Sequence, residues 1–377
     1  MLPGDFTLLQ VTPALDIGGV ETLTVEMATA AAAAGARSLV ASRGGRLEGE
    51  LVRGGASLIR MPLHRRDPAT LASNALRLAS VIRQNQVSLV HVRSRAPAFS
   101  AIWAARSTRV PIVSSFHGVH AARSAVKRWY NAVMTRTDAV IVNSNFTREH
   151  VQAQHPTAAG KLALIPEGVD VRFFDPARVG GDRVQRTRQA WGVQPGERVI
   201  VVAARLTGWK GHRLIINAVA ASSTRPRLVF VGGGESSHLG VELAAHAARL
   251  GVALAKAGPS NDMPAAYLAA DVVAAPSTEP ESFGRTVAEA GAMGAVVVAS
   301  DLGGTAEIIL DGVTGILVRA GDVKAWSAAL DRALGMPASA RAAIGAAARA
   351  RVSASFSTEQ MCEATFALYR RVSETKA

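Results

Sequence analysis

Two cations and two carboxylates in the second half of this sequence carry its strongest chemical signal. Arg205 and Lys210 stand five positions apart in Arg205-Leu206-Thr207-Gly208-Trp209-Lys210-Gly211-His212, a loop between an apolar run and a helical segment. Two cations beside a helix N-terminus make a site for a diphosphate, because the side-chain charges and the helix dipole act in the same sense. The plainer reading is a pair of surface charges. Against it, Lys210 is one of only six lysines among 42 basic residues. Farther on, Glu281 and Glu289 frame Glu281-Ser282-Phe283-Gly284-Arg285-Thr286-Val287-Ala288-Glu289, after the strand-like run 271–275. On one helix, eight positions span about two turns, roughly 12 Å along the axis. That exceeds the separation of a two-carboxylate glycosidase pair. It suits two carboxylates that hold separate hydroxyl-bearing parts of one long ligand, with the backbone N–H groups of Phe283 and Gly284 holding a phosphate between them. A helix cap plus a solvated glutamate is the alternative, weakened by the Ala, Val and Gly around Glu289.

Three weaker features sit at other strand ends. Gly18 and Gly19 precede a helical segment, where paired glycines let backbone N–H groups approach an anion or simply make a tight turn. Gly232, Gly233 and Gly234 follow the run 228–231 and would make room for a nucleoside, without the spacing of a P-loop or dinucleotide fingerprint. His117 stands just past the run 112–115, with Gly118 leaving space beside it. It can hydrogen-bond a polar substrate group or serve a structural role; His91 and His120 rank below it.

The elements that must position these residues alternate along the chain. β-Branched runs at 7–12, 38–42, 57–61, 89–92, 112–115, 139–143 and 162–165 are separated by helical stretches at 20–34, 69–84, 96–107, 122–135 and 144–154. A second series has strands at 198–204, 228–231, 252–257, 272–275 and 295–299. Its helices are expected near 211–222, 238–250, 263–269, 283–293, 323–334 and 339–350, and a last helix covers 357–372. Continuous apolar strands alternating with helices predict α/β architecture, with two facing doubly wound Rossmann-like domains and parallel sheets. The Pro-, Gly- and charge-rich stretch 171–197 reads as a linker plus a short helix, and as a hinge. Ligands of such sheets lie beyond the carboxyl ends of the strands, so the gap between two facing sheets is the expected site.

Composition narrows the setting. The chain has 377 residues, 49% hydrophobic and 19% charged, which suits two buried cores and not a disordered chain. A single cysteine, Cys362, rules out an intrachain disulfide and a Cys-based metal site, and no Asp-x-Asp motif points to a divalent ion. No apolar run approaches the roughly 20 residues that span a bilayer, and the first residues read as a strand rather than a signal peptide. A soluble cytoplasmic protein is expected. The net charge is +13, and 91–150 holds nine basic residues against two acids, among them Arg93 and Arg95 beside His91. Nucleic acid, a polyanionic substrate and an anionic lipid surface are the possible partners of such a face. No zinc-finger spacing, RNP motif or basic tail supports nucleic acid, so none is expected. Ala121–Arg136 would form an amphipathic helix that either packs on the core or touches an anionic membrane, placing the protein peripherally on its inner face.

Together, Gly18-Gly19-Val20-Glu21, Ser115-Phe116-His117-Gly118, Ile165-Pro166-Glu167-Gly168-Val169-Asp170, Arg205 with Lys210-Gly211, Glu281-x7-Glu289 and Ser300-Asp301-Leu302-Gly303-Gly304-Thr305-Ala306-Glu307 resemble the family 4 retaining glycosyltransferases of the GT-B fold, group 1 type. The matches run in the family's order from residue 18 to about 310. The resemblance implies a first domain at 1–180 that binds the acceptor, with 357–377 packing back on it, and a nucleotide-sugar domain at 181–356. It implies a UDP- or GDP-sugar as donor substrate, no separate cofactor and no metal. Arg205 and Lys210 would hold the diphosphate, Glu281 the sugar hydroxyls, Glu289 the ribose, and Phe283 and Gly284 backbone N–H groups. His117 would lie by the donor sugar, and Gly18 and Gly19 would line the diphosphate and acceptor side. The acceptor would be a glycan or lipid-linked hydroxyl, in lipopolysaccharide or surface-glycan synthesis, and a phosphate-bearing or lipid-attached acceptor suits the basic first domain. A nucleotide-sugar epimerase or sugar phosphorylase of the same fold, and a non-catalytic basic binding protein, are the competing readings.

Overall fold

The computed structural model describes residues 2–16, 18–118, 124–234 and 236–375. Its chain divides into two compact units, residues 1–168 with 358–377, and residues 169–357. The first contains a parallel sheet of β1 Thr7–Val11, β2 Arg37–Ser42, β3 Ser57–Arg60, β4 Leu89–Val92, β5 Ile112–Phe116, β6 Ala139–Val142 and β7 Leu162–Leu164, in the order β3-β2-β1-β4-β5-β6-β7. The second contains β8 Val199–Ala203, β9 Arg227–Val231, β10 Leu254–Gly258, β11 Val272–Ala275, β12 Val297–Ser300 and β13 Ile316–Val318, in the order β10-β9-β8-β11-β12-β13. Neighbouring strands pair in parallel throughout, as in β1 with β4 and β8 with β11.

Burial on both faces explains why the strands read as continuous apolar runs. Successive residues of β1 alternate between cores. Leu9 and Val11 join Leu78, Ile82 and Val142, while Leu8 joins Leu23, Leu89 and Val113. The helices on these faces start where local chemistry favours a start. Asp67 caps Pro68–Gln84, its side chain accepting from Thr70 N–H at 2.8 Å, and Pro68 takes the first helical position. The last helix, Thr358–Glu374, buries Met361, Cys362, Phe366, Leu368, Tyr369 and Val372 on the first unit's core. Each large apolar side chain so buried contributes about 1.5–3 kcal/mol, so this helix is part of the unit.

Several elements differ from the sequence reading. The stretch 171–197 holds the expected short helix, at Gly181–Ala190, but is no loose linker: Phe174 and Trp191 are buried in the second unit's core, Arg349 pairs with Asp175 at 2.9 Å, and Arg183 with Asp262 at 2.8 Å. Where one helix was expected over 122–135, an α-helix covers Ala125–Asn131 and a 3-10 turn Ala132–Arg136, so the expected shared face of Trp129 and Val133 breaks up: Val133 is buried and Trp129 is 55% exposed. Short helices Glu48–Arg53 and Gly304–Ile308, and strand β13, were not foreseen. Among the described residues no helix is long and apolar enough to cross a membrane.

One carboxylate joins much of the second unit. Asp271, just before β11, accepts from Arg198 at 2.7 Å, Val199 N–H at 2.9 Å and Arg341 at 3.1 Å, and its side chain is 11% exposed. Burial would raise its pKa; the hydrogen bonds from Arg198, Val199 N–H and Arg341 outweigh that and hold it below the ordinary carboxylate value. Its contribution is therefore present above pH ~4 and is lost as pH falls through the lowered folded-state pKa. Urea unfolding should show Asp271→Asn about 2 kcal/mol less stable than the wild type at pH 7, with the gap closing toward pH ~3. A gap independent of pH would contradict the electrostatic account.

Candidate active site

In the second sheet the strand order reverses between β8 and β11. Connections leave the two strands toward opposite edges, and a gap opens at their carboxyl ends. Arg205 and Lys210 follow β8, and Glu281 follows β11. The structure brings Lys210 and Glu281 into direct contact: Nζ lies 2.7 Å from Oε2, and each side chain is 18% exposed. The other carboxylate oxygen of Glu281 accepts from Ser277 Oγ. The Lys210 ammonium also sits 4.4 Å from the centroid of the Trp209 ring. Arg205 is exposed and, among the described residues, has no ion-pair partner.

Glycines let these loops close on one another. Gly211, at φ 74°, caps His212–Ala221 in the left-handed region, and a Cβ there would stand 1.8 Å from Pro276 O. Thr278 N–H donates to Trp209 O at 2.7 Å across the same seam. The space freed at Gly232 is taken by the Ala204 carbonyl, 2.2 Å from a would-be Cβ. On its Cβ side that glycine therefore admits the Ala204–Arg205 backbone. Gly233 is the more open of the two, with Pro259 Cγ 4.0 Å away.

The expectation that Glu281 and Glu289 share one helix fails. Glu281 bridges to Gly303, and Gly304 N–H donates to Glu281 O at 2.8 Å. The helix Arg285–Ala292 begins only after Gly284, at φ 118°, and no side chain caps it. The Phe283 ring is buried edge-on against Phe356 at 5.7 Å, so Phe283 can offer a ligand only its backbone. Glu289 lies in the second turn, accepting from Tyr267 Oη at 2.8 Å and Arg285 Nε at 3.3 Å. Burial, and then the Glu289 charge, push the Tyr267 phenol well above its usual pKa, so it remains a donor. A carboxylate has about four acceptor sites, so two donors leave capacity for a diol. His212 is buried beside this site; burial lowers its pKa to about 4, so it is neutral at pH 7.

His117, Gly18 and Gly19 belong to the first unit. His117 Nδ1 lies 3.2 Å from Glu167 Oε1, which also accepts from Asn143 Nδ2 at 2.8 Å. Gly18, in extended backbone, precedes the helix Gly19–Ala33, which has no side-chain cap. His91 is structural: fully buried, it bonds Tyr369 Oη at 2.5 Å and Ser115 Oγ at 2.6 Å, and burial followed by the Arg93 charge lowers its pKa well below the usual value. His120 lies outside the described residues. Ser277, Tyr267 and Arg285, which orient the two glutamates, escaped the sequence reading. Ser277 is four positions from Glu281 at a strand end, which is a usable signal; Tyr267 is 22 positions from Glu289, and no local pattern marks it.

Two parallel α/β units, with cations and carboxylates gathered at one strand-order reversal, have the make-up of the GT-B class. The family described as Glycosyl transferases group 1 matches residues 184–351, and Glycosyltransferase Family 4 matches residues 17–173. The chain belongs to these group 1, family 4 glycosyltransferases. A glycosyltransferase crystal structure from Rickettsia africae is 30% identical, with 98% of each chain covered and a TM-score of 0.90. The structure of Anabaena Alr3699/HepE in complex with UDP and glucose is 23% identical over 98% of this chain and 99% of that one, with a TM-score of 0.82, and shares the fold. A D-inositol 3-phosphate glycosyltransferase of Mycobacterium marinum is 33% identical over 288 residues, 71% of this chain. The matched region spans 60% of that relative's length.

The seam at Gly211 gives a direct test of the site's architecture. Gly211→Ala meets the Pro276 carbonyl and needs a left-handed backbone, so thermal and urea unfolding should show a loss of about 2–4 kcal/mol. Gly208→Ala, with nothing within 4 Å, should leave stability within about 0.5 kcal/mol of the wild type. Equal effects at the two glycines would refute the packed seam.

Proposed function

We propose that this glycosyltransferase moves a sugar from a nucleoside-diphosphate sugar to an acceptor hydroxyl, with retention at the anomeric carbon and without a metal. The observation that carries the reading is the Lys210–Glu281 pair at the β8/β11 reversal, with the exposed Arg205 on the same loop after β8. Bond cleavage at the anomeric carbon builds negative charge on the departing diphosphate. Arg205, Lys210 and the N-termini of His212–Ala221 and Arg285–Ala292 offer positive potential in fixed positions, the service a divalent ion gives in other transferases. Glu281 binds hydroxyls of the transferred sugar, and Glu289 binds the ribose diol. The backbone at Phe283 and Gly284 meets a phosphate, Gly233 borders the nucleoside, and Gly18 and Gly19 line the diphosphate and acceptor side. His117, aligned by Glu167, supplies a hydrogen bond to the transferred sugar. UDP- or GDP-sugars are the proposed donors, UDP favoured by its presence in the Anabaena relative of the same fold.

The proposed setting is lipopolysaccharide or other surface-glycan synthesis, with peripheral attachment to an anionic membrane. The helix Ala125–Asn131 supports this: Val126 is 78% and Trp129 55% exposed, flanking the exposed Lys127 and Arg128. Co-sedimentation with vesicles of anionic lipid should exceed that with neutral lipid and fall on Trp129→Ser. Equal binding to both vesicle types would remove the membrane from the proposal.

Lys210→Ala should lower kcat about 10²–10³-fold with the true donor, since it removes a charge acting on the leaving group. Glu289→Ala should instead raise the donor KM about tenfold or more with a smaller change in kcat. Thermal-shift screening of UDP, GDP and ADP identifies the nucleotide, because a ligand of the native state raises Tm. Full transfer activity in both variants would end the site assignment.

A further inference from the structure

Arg351 lies near the C-terminal end of the helix Ala338–Ser355, far along the chain from the residues assigned to the site. Its guanidinium makes two hydrogen bonds to main chain: Nε donates to Ile308 O at 2.7 Å and Nη2 to Glu307 O at 2.8 Å. These are the last carbonyls of the short helix Gly304–Ile308, groups that have no partner within the helix itself. A helix of this length does not hold its shape alone, so it depends on such outside donors. The same guanidinium lies over the Phe356 ring, 5.6 Å from its centroid.

Both contacts lead to Glu281. At the other end of the short helix, Gly304 N–H donates to Glu281 O at 2.8 Å, and Gly303 bridges to Glu281. A Cβ at Gly304 would stand 2.2 Å from Ser282 O, and one at Gly284 2.7 Å from Thr305 Oγ1. The helix Gly304–Ile308 therefore lies directly against 281–284. From the opposite direction, the Phe356 ring meets the buried Phe283 ring edge-on at 5.7 Å. Residues 281–283 belong to no helix or strand, so these contacts set their conformation. Arg351 touches both supports at once. Its planar face stacks on the aromatic ring while its fork meets two carbonyls, a combination that the point charge of a lysine lacks.

We propose that Arg351 is a positioning residue for sugar transfer. It fixes the segment 281–284, and with it the Glu281 carboxylate and the Phe283–Gly284 backbone, through the helix Gly304–Ile308 and Phe356 rather than by acting on the ligand. Glu289 stands apart from this clamp, held by Tyr267 and Arg285, so loss of Arg351 separates the sugar-binding half of the donor site from the ribose-binding half. The inference rests on the reading of Glu281 as a ligand of the transferred sugar, but the clamp can be measured with no ligand present.

The test begins with amide hydrogen exchange of the full chain, followed residue by residue without ligand. Arg351→Met should speed exchange of the Gly304 amide at least about tenfold and leave the amides of β8 and β11 unchanged. Arg351→Lys keeps the charge but loses the fork, so it should fall between Arg351→Met and the wild type, and it decides alone if Arg351→Met fails to fold. Calorimetry then compares UDP-, GDP- and ADP-glucose with UMP, GMP and AMP. For the base that binds, Arg351→Met should weaken the sugar nucleotide at least about tenfold and the monophosphate less than about twofold. Unchanged exchange at Gly304, acceleration spread evenly over the second unit, or equal weakening of sugar nucleotide and monophosphate would each overturn the assignment. A wild type that binds no sugar nucleotide, with the local change in exchange intact, would leave Arg351 as the support of Glu281 and remove the proposed donor.

Discussion

Lys210 cannot be understood without Glu281. The two charges sit 2.7 Å apart and are mostly shielded from water, where their attraction far exceeds that of a surface pair. Desolvation offsets much of that gain, so the pair is better viewed as a positioning device than as a source of stability. It fixes a long, flexible lysine in one place before any ligand arrives. An ammonium has three donors, so Lys210 can keep its carboxylate and still meet a phosphate oxygen. Arg205 differs in having, among the described residues, no ion-pair partner to exchange. An incoming dianion therefore meets one cation that is open and one that is already aimed.

That aim depends on backbone, not side chains. Gly211 against Pro276 O, Gly232 against Ala204 O and Gly304 against Ser282 O are approaches that a Cβ would forbid. Each joins two strand-end loops, so Arg205, Lys210 and Glu281 stand on one welded platform at the β8/β11 reversal. Polar residues on a loop of independent mobility would lose more entropy on gripping a ligand.

Much of this was legible from residue order. Buried parallel strands must be β-branched and continuous, so most of the thirteen strands announced themselves. Strand β13 is only three residues long, and the helices Glu48–Arg53 and Gly304–Ile308 are too short to show a 3.6-residue period. The Glu281–Glu289 spacing does not lie on one helix as expected. Its helix starts where Gly284 takes a positive φ, a backbone event that the acidic residues do not signal. Phe174 and Trp191 misled in the opposite way: charged, Pro- and Gly-rich neighbours made 171–197 look like a linker, yet these two aromatics anchor it in a core. Local composition sees the polar surface of such a segment and misses its few buried anchors.

The two units fill the same topological gap with different charges. At the β8/β11 reversal, carboxylates stand beside cations, and the mixture suits a ligand with both hydroxyls and phosphates. At the β1/β4 reversal of the first sheet a cavity is lined by arginines and, among the described residues, by no acids. Arginine-rich composition alone would scatter such residues over exposed surface, where each is solvated at little cost. It does not account for Arg93, which is 6% exposed and held by a fully buried glutamine in the middle of a central strand. Placing Gln10 and Arg93 there sacrifices apolar packing in the sheet, a loss offset by their mutual hydrogen bond and by the charges of Glu167 and Glu26 acting on Arg93.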